Sequence, residues 1–243
     1  MTSRVSRNFS RVYHVVEAAD WVVRWDAESI ANAVRRTSDI NSVTTLSARG
    51  IANQVVHFGS RNLIMPSHVP PRIARVHPSN RVAFTWFHGD PESQDPLERR
   101  FRDLLPEAAD RSEVIIASCS LGAGRLRRAG VPASKLRIIP LGVNTQLFKP
   151  ASPDDRKALR AELGIPERAL CIGSFQKDGE GWGRGTNPKL IKGPDVFAEV
   201  IRKIAPSYPV HILLTGPARG YIRDRLDALG IDHTHNRLTI ILK

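Results

Sequence analysis

The stretch CIGSFQKDGEGWGRGTNPKLIKGPDVFAEVI, residues 171–201, reads as a strand, a glycine-rich basic loop and a helix. Its first apolar run has the length of a buried strand, and apolar residues at helical spacing begin after Gly193. Pro194 suits the first position of a helix, where an amide hydrogen would have no partner, and Asp195 follows in the first turn. The stretch therefore predicts a β-α unit of a parallel sheet.

The loop and the helix start together predict a phosphate site. Free amide groups and the dipole at a helix N-terminus attract anions. Lys192 stands directly before this helix, where the dipole disfavours a cation unless an anion lies between them, and Lys177 flanks the loop. The glycine spacing matches neither a Walker loop nor a dinucleotide turn. The alternative is a floppy, solvated loop without a ligand.

The same alternation of strand and helix extends through the chain. Strands are predicted within 11–16, 53–60, 81–90, 112–120, 134–143, 169–174, 210–216 and 238–243, and helices within 26–37, 96–108, 121–131, 194–204 and 217–229. We expect Ile30 on the apolar face of the first helix and Leu97 on that of the second. Ser152 and Pro153 predict the start of a further helix by capping. We predict an α/β fold with two Rossmann-like domains, residues 1–148 and 149–243. The second has few strands for a doubly wound sheet, so we expect it to be incomplete.

Several polar residues and one glycine follow predicted strands. His57 and His88 are predicted at the carboxyl edge of the first sheet, facing a cleft between the domains. Each could be a packed structural histidine; alternatively, His88 could donate to a sugar or phosphate oxygen, with Asp90 as a turn former or its orienter. Gly216 precedes a helix that we expect to begin at Pro217, and a simple turn glycine is the alternative.

Metal and disulfide motifs are not predicted. His233 and His235 lie in DHTHN, which suggests an exposed turn, and the two cysteines have no motif spacing.

The net charge of +12 is spread along the chain. Such an excess fits nucleic acid, an anionic membrane surface or acidic small molecules, and a basic genomic background would also produce it. Aromatic residues are 6% and do not interleave with basic ones, which disfavours nucleic acid. The basic stretches ERRFR and GRLRR leave peripheral membrane contact open.

We find neither a bilayer-spanning run nor a secretory signal, and predict a cytoplasmic protein, with the inner face of a membrane as an alternative.

Residues 118–150, SCSLGAGRLRRAGVPASKLRIIPLGVNTQLFKP, resemble the hinge region of the family 4 retaining glycosyltransferases. The matching residues are Ala129, Gly130, Val131, Lys135, Ile138, Ile139, Pro140, Gly142, Val143, Asn144, Thr145, Phe148 and Pro150. The strand-end Gly173, the pair Lys192 and Gly193, and the turn LLTGPARG with Gly216 are similar to later family motifs.

The resemblance implies the two-domain GT-B fold and transfer of a sugar from a nucleotide-sugar to an acceptor, with retention and without a bound metal or cofactor. Donor binding would fall chiefly to the second domain, through Gly173, Lys177, Lys192, Gly193 and Gly216. Lys192 would hold the diphosphate, and Lys177 would substitute for an arginine that the family has at the position of Ser174. His88 would be catalytic, with His57 and Asp90 on the acceptor side. The acceptor, a sugar, lipid or protein, is unknown.

Two departures from the family pattern stand out. The first strand is followed by VVEAADWVVRW, without the glycine-rich turn that the family often has. The Glu-x7-Glu segment that binds the donor sugar is missing, so we expect a truncated glycosyltransferase. The alternative is a truncated, non-catalytic relative that only binds.

Overall fold

The computed structural model describes residues 9–236 except residues 20 and 69. The chain divides into two compact units, Met1–Asn144 and Thr145–Lys243. The boundary predicted after residue 148 falls a few residues beyond this division.

The first unit is a parallel sheet covered by helices. Its elements are β1 (Arg11–Val15), α1 (Val22–Thr37), β2 (Asn41–Thr45), β3 (Val55–Phe58), α2 (Arg61–Ile64), β4 (Arg81–Trp86), α3 (Pro96–Arg111), β5 (Val114–Ala117), α4 (Ser120–Arg128) and β6 (Leu136–Ile138). The strand order is β2-β1-β3-β4-β5-β6, with every pairing parallel. Phe58, Phe84 and Ile115 on central strands pack with Phe101 and Leu105 of α3 in one core.

The second unit repeats the pattern on a smaller sheet. Its elements are α5 (Pro153–Glu162), β7 (Leu170–Ser174), α6 (Pro194–Ile204), β8 (Val210–Thr215), α7 (Gly220–Ala228) and β9 (His233–Asn236). The described strands run parallel in the order β7-β8-β9. The Ser152 hydroxyl accepts from the Asp155 amide at 3.1 Å, as the capping pattern predicted. Helix α6 has the predicted bounds.

Four predictions for the first unit are corrected. Strand β2 was missed because NSVTT is mostly polar, which an edge strand tolerates. Helix α1 begins at Val22, before the predicted start, and it buries Val23, Ala27 and Ala31, whereas Ile30, predicted on the apolar face, is 38% exposed. Small side chains on this face allow α1 to approach the sheet closely. Leu97, expected in the buried face of α3, is also exposed.

Two predictions for the second unit are also corrected. His233 and His235 belong to β9 and are half-buried, rather than lying in an exposed turn. Helix α7 begins at Gly220, not at Pro217, because Ala218 adopts a left-handed conformation with φ of 55°. The strand predicted at 238–243 lies outside the described residues.

The fold class is confirmed: both units are Rossmann-like arrangements of parallel strands joined through helices. No helix in the described part of the chain combines the length and hydropathy needed to cross a bilayer.

Candidate functional site

Lys192 lies at the N-terminus of α6, as the sequence predicted. It ends a short 3-10 turn, Leu190–Lys192, and is exposed. Gly193 follows with φ of 64° and provides no side-chain cap for the helix. The Gln176 side-chain amide donates to the Lys192 carbonyl at 2.7 Å and so ties this turn to the segment that follows β7. A cation and uncapped helix amides thus stand together, an arrangement that suits an anion.

Gly173 and Gly216 each meet a different requirement at the ends of their strands. The Phe175 ring folds over Gly173, where a Cβ would overlap it. Phe175 itself is 70% exposed. Gly216 has φ of 81° with open space around it, so its need for glycine is conformational. Their roles in donor binding stay predictions.

The glycine-rich loop is an ordered strap, which we define as residues 178–189. The Glu180 amide donates to the Asn187 carbonyl at 2.9 Å, and Lys189 to Asp178 at 2.7 Å, closing a narrow hairpin. Gly179 and Gly185 lie so close to the Ala218 backbone that a Cβ on either would overlap it. The interpretation of this loop as floppy is therefore wrong: two of its glycines permit close packing.

Lys177 stands just before the strap, and its ammonium is engaged with an aromatic ring. Its Nζ lies 3.8 Å from the centroid of the Trp182 ring, a cation–π contact. Trp182 is 81% exposed, so this pair sits at the surface. Whether Lys177 binds a donor stays a prediction.

Sequence reasoning missed Arg219, the most heavily bonded side chain of this region. The guanidinium is fully buried and donates to the Ser174 carbonyl at 3.0 Å, the Ser174 hydroxyl at 2.7 Å, the Thr215 carbonyl at 3.1 Å and the Gln176 carbonyl. It therefore ties the ends of β7 and β8 together. No sequence signal separates an arginine in this turn from a solvated one.

Asp178 is the buried counter-ion of Arg219. Its carboxylate lies 3.1 Å from Arg219 Nη2, and both side chains are at most 1% exposed. Burial raises the pKa of Asp178, and the arginine charge opposes this shift. The pair anchors the strap to the turn before α7.

We expect Asp178→Asn to destabilise the second unit by about 3 kcal/mol, because it leaves a buried arginine without its counter-ion. The measurement is urea unfolding followed by pulsed amide hydrogen exchange, read by mass spectrometry in peptides of the second unit. The control is Arg184→Gln, which breaks the exposed strap-to-α7 pair with Asp224 and should cost less than about 1 kcal/mol. Equal effects of Asp178→Asn and Arg184→Gln would contradict the prediction.

His88 is exposed on the loop that follows β4. Asp90, two residues on, shapes this loop: its Oδ1 accepts from the Glu92 amide at 3.0 Å, and its carboxylate lies 3.2 Å from Arg125. These contacts are those of a turn-forming aspartate, one of the two interpretations of Asp90 given above. The roles of His88 and Asp90 toward substrates stay predictions.

His57 lies inside the sheet, in a hydrogen-bonded chain that crosses four strands. Its Nδ1 is 3.0 Å from Nδ1 of His14, and its Nε2 is 2.9 Å from the Thr85 hydroxyl. The other ring nitrogen of His14 is 2.9 Å from the Ser42 hydroxyl. Burial lowers the pKa of His14 to about 4 and that of His57, with a further contribution from His14, to about 3. Both rings are therefore neutral at pH 7, and the acceptor-side role of His57 stays a prediction.

No group of three or more histidine, cysteine, aspartate or glutamate side chains in the described part of the chain is arranged to hold a metal ion.

Solved structures of glycosyltransferases share this fold. The crystal structure of Anabaena HepE in complex with UDP matches with a TM-score of 0.63 at 14% identity, covering 96% of this chain and 70% of that one. The HepE complex with UDP-glucose gives 0.61 at 14% identity, covering 94% and 69%. A glycosyltransferase from Rickettsia africae gives 0.58 at 14% identity, covering 96% and 70%. No protein-family profile and no curated protein matches the sequence.

Proposed function

We propose that this protein transfers a sugar from a nucleotide-sugar to an acceptor, with retention of configuration and without a bound metal or cofactor. The observation that carries the proposal is Lys192 beside the uncapped N-terminus of α6, in a fold that HepE shares. HepE is crystallised with UDP and with UDP-glucose, which makes uridine nucleotides the first donors to test.

In this proposal the second unit holds the donor diphosphate. The Lys192 ammonium and the first amides of α6 would offset the charge that develops on the leaving nucleoside diphosphate. Gly173 and Gly216 at the strand ends, and Gly193 before α6, would present their backbone to the donor, with the exposed Phe175 ring moving off Gly173. Lys177 would contribute a second cation in place of the arginine that the family has at Ser174, after exchanging its contact with Trp182 for the phosphate.

The first unit would supply His88, which would hydrogen-bond to the donor sugar at the reacting centre, and the acceptor residues His57 and Asp90. The acceptor would be a sugar, a lipid or a protein. A lipid acceptor would be reached at the inner face of a membrane. The alternative is a binding protein without turnover.

The test is release of nucleoside diphosphate from a panel of UDP-, GDP- and ADP-sugars, with and without EDTA, and with the product anomer assigned by NMR. We expect one donor to be turned over equally in both conditions, and His88→Ala to lower the rate by about 100-fold. His68→Ala, which removes another exposed histidine of the same unit, is the matched control. Donor binding without turnover for any acceptor would favour the binding protein, and loss of rate in EDTA or an inverted anomer would contradict the proposed mechanism.

A further inference from the structure

An ion pair between the buried Arg61 and the partly buried Glu98 lies beneath the loop that carries His88. Their side chains are 4% and 15% exposed, and two parallel hydrogen bonds of 2.6 and 2.5 Å join them. The Arg61 guanidinium also lies 4.7 Å from the Trp86 ring and 4.0 Å from the Phe101 ring. Bidentate pairing and two aromatic contacts together fix the plane of the cation.

The loop backbone rests on this pair directly after His88. Gly89 has φ of 112° and lies so close to Arg61 that a Cβ would overlap the guanidinium. The next amide, that of Asp90, donates to Glu98 Oε2 at 3.0 Å.

The other side of His88 is fixed as well. The carbonyl of Phe87 accepts from the Ser118 hydroxyl at 3.0 Å. The backbone on both sides of the histidine is therefore held by other elements of the fold.

A buried ion pair is a poor means of stabilising a core. Its desolvation cost is high, and apolar side chains of similar volume are often as stable. Apolar side chains cannot, however, offer a carboxylate oxygen to a loop amide. The distinctive contribution of Arg61 and Glu98 is thus the hold on the loop.

We propose that Arg61 and Glu98 are positioning residues that hold His88 in place for reaction at the donor sugar. The inference rests on the proposed function for the role of His88. Neither residue is required to touch a substrate, so their loss should affect turnover more than donor binding.

The test replaces the pair with apolar side chains in the double variant Arg61→Met/Glu98→Met. We expect kcat to fall by between about 10- and 100-fold, with KM for the nucleotide-sugar changed by less than about twofold, because a small displacement of a reacting group is costly. Gly89→Ala, whose Cβ would overlap the Arg61 guanidinium and so force the loop and the ion pair apart, should give the same split even if the double variant does not fold. The control is Arg128→Gln, which removes an exposed ion pair with Glu92 of the same loop and should leave kcat unchanged.

The second readout is the imidazole NMR signal of His88, assigned by its loss in His88→Ala. We expect the chemical shift of this signal to change in the double variant and in Gly89→Ala, and to stay unchanged in Arg128→Gln. Native kcat with a native His88 signal would overturn the inference, as would a loss confined to KM. The unaltered protein could also turn over no donor, in which case the transferase proposal fails. A changed His88 signal in the variants would then still support the positioning role. An unchanged His88 signal would overturn it.

Discussion

Replacing Lys192 with alanine is expected to lower sugar transfer by about 1,000-fold, the upper range for removing one group that stabilises charge in a transition state. The ammonium stands at the helix end where a diphosphate would gain negative charge as the sugar leaves. Because the interaction strengthens as that charge develops, kcat should fall more than donor affinity. Steady-state kinetics with the active donor, and calorimetric binding of UDP, measure the two effects.

The matched control for this prediction is Lys203→Ala. Lys203 lies in the last turn of the same helix, where it is 3.6 Å from Glu199 and exposed. Removing it changes the net charge equally but leaves the helix N-terminus untouched. Since Lys192 is also exposed, neither variant should lower the thermal midpoint noticeably. Equal kinetics of the two variants would rule out a special role for Lys192.

The sequence predicted α6 well because every local signal agreed. Gly193 before the helix, Pro194 at its first position and Asp195 in its first turn all mark the same start, and the apolar spacing gives the same end. Local agreement of this kind needs no knowledge of distant contacts. The placement of Lys192 followed from it directly.

The strap shows where local reasoning failed. The alternative interpretation of the glycine run was a floppy loop, whereas Gly179 and Gly185 are needed for contact with Ala218, more than thirty residues away. The same limit hid Arg219 and Asp178, because neither partner's burial can be seen from its neighbours in sequence. Long-range approach of two backbones leaves no local pattern.

The histidine chain was missed for a related reason. Ser42, His14, His57 and Thr85 come from four different strands, and only the strand order brings them into line. Ser42 also lies on β2, the strand whose polar sequence concealed it. The sequence identified His57 as notable but not what it contacts.

The buried histidines predict a protein that loses stability in mild acid. When both imidazole rings are neutral, each donates one N–H and accepts one hydrogen bond, so every hydrogen bond of the chain can form, whichever of the two rings donates to the other. A proton on both would bring two N–H groups face to face across the 3.0 Å between the Nδ1 atoms. Burial holds the pKa values of both histidines in the folded protein below the unfolded value near 6.5. The unfolded state therefore takes up protons first as the pH is lowered, and the free energy of unfolding decreases.

The size of this effect follows from the two lowered pKa values. Each histidine contributes a loss of about 1.4 kcal/mol per pH unit, beginning below pH 6.5 and continuing to about pH 4 for His14 and about pH 3 for His57. Between pH 7 and pH 5 the first unit should therefore lose roughly 4 kcal/mol. Urea unfolding at half-unit pH steps, in a Trp182→Phe background so that fluorescence reports the first unit alone, measures it.

His57→Gln should flatten this dependence by about half, because a neutral amide replaces one of the two titrating rings while keeping a donor and an acceptor. His68→Gln is the matched control: that histidine is exposed, so its loss should leave the slope unchanged. A slope that His57→Gln does not alter would mean that carboxylates, not the buried chain, govern the acid sensitivity. A flattened slope would instead show that His57 binds its proton more weakly in the folded protein than in the unfolded one, as its burial implies.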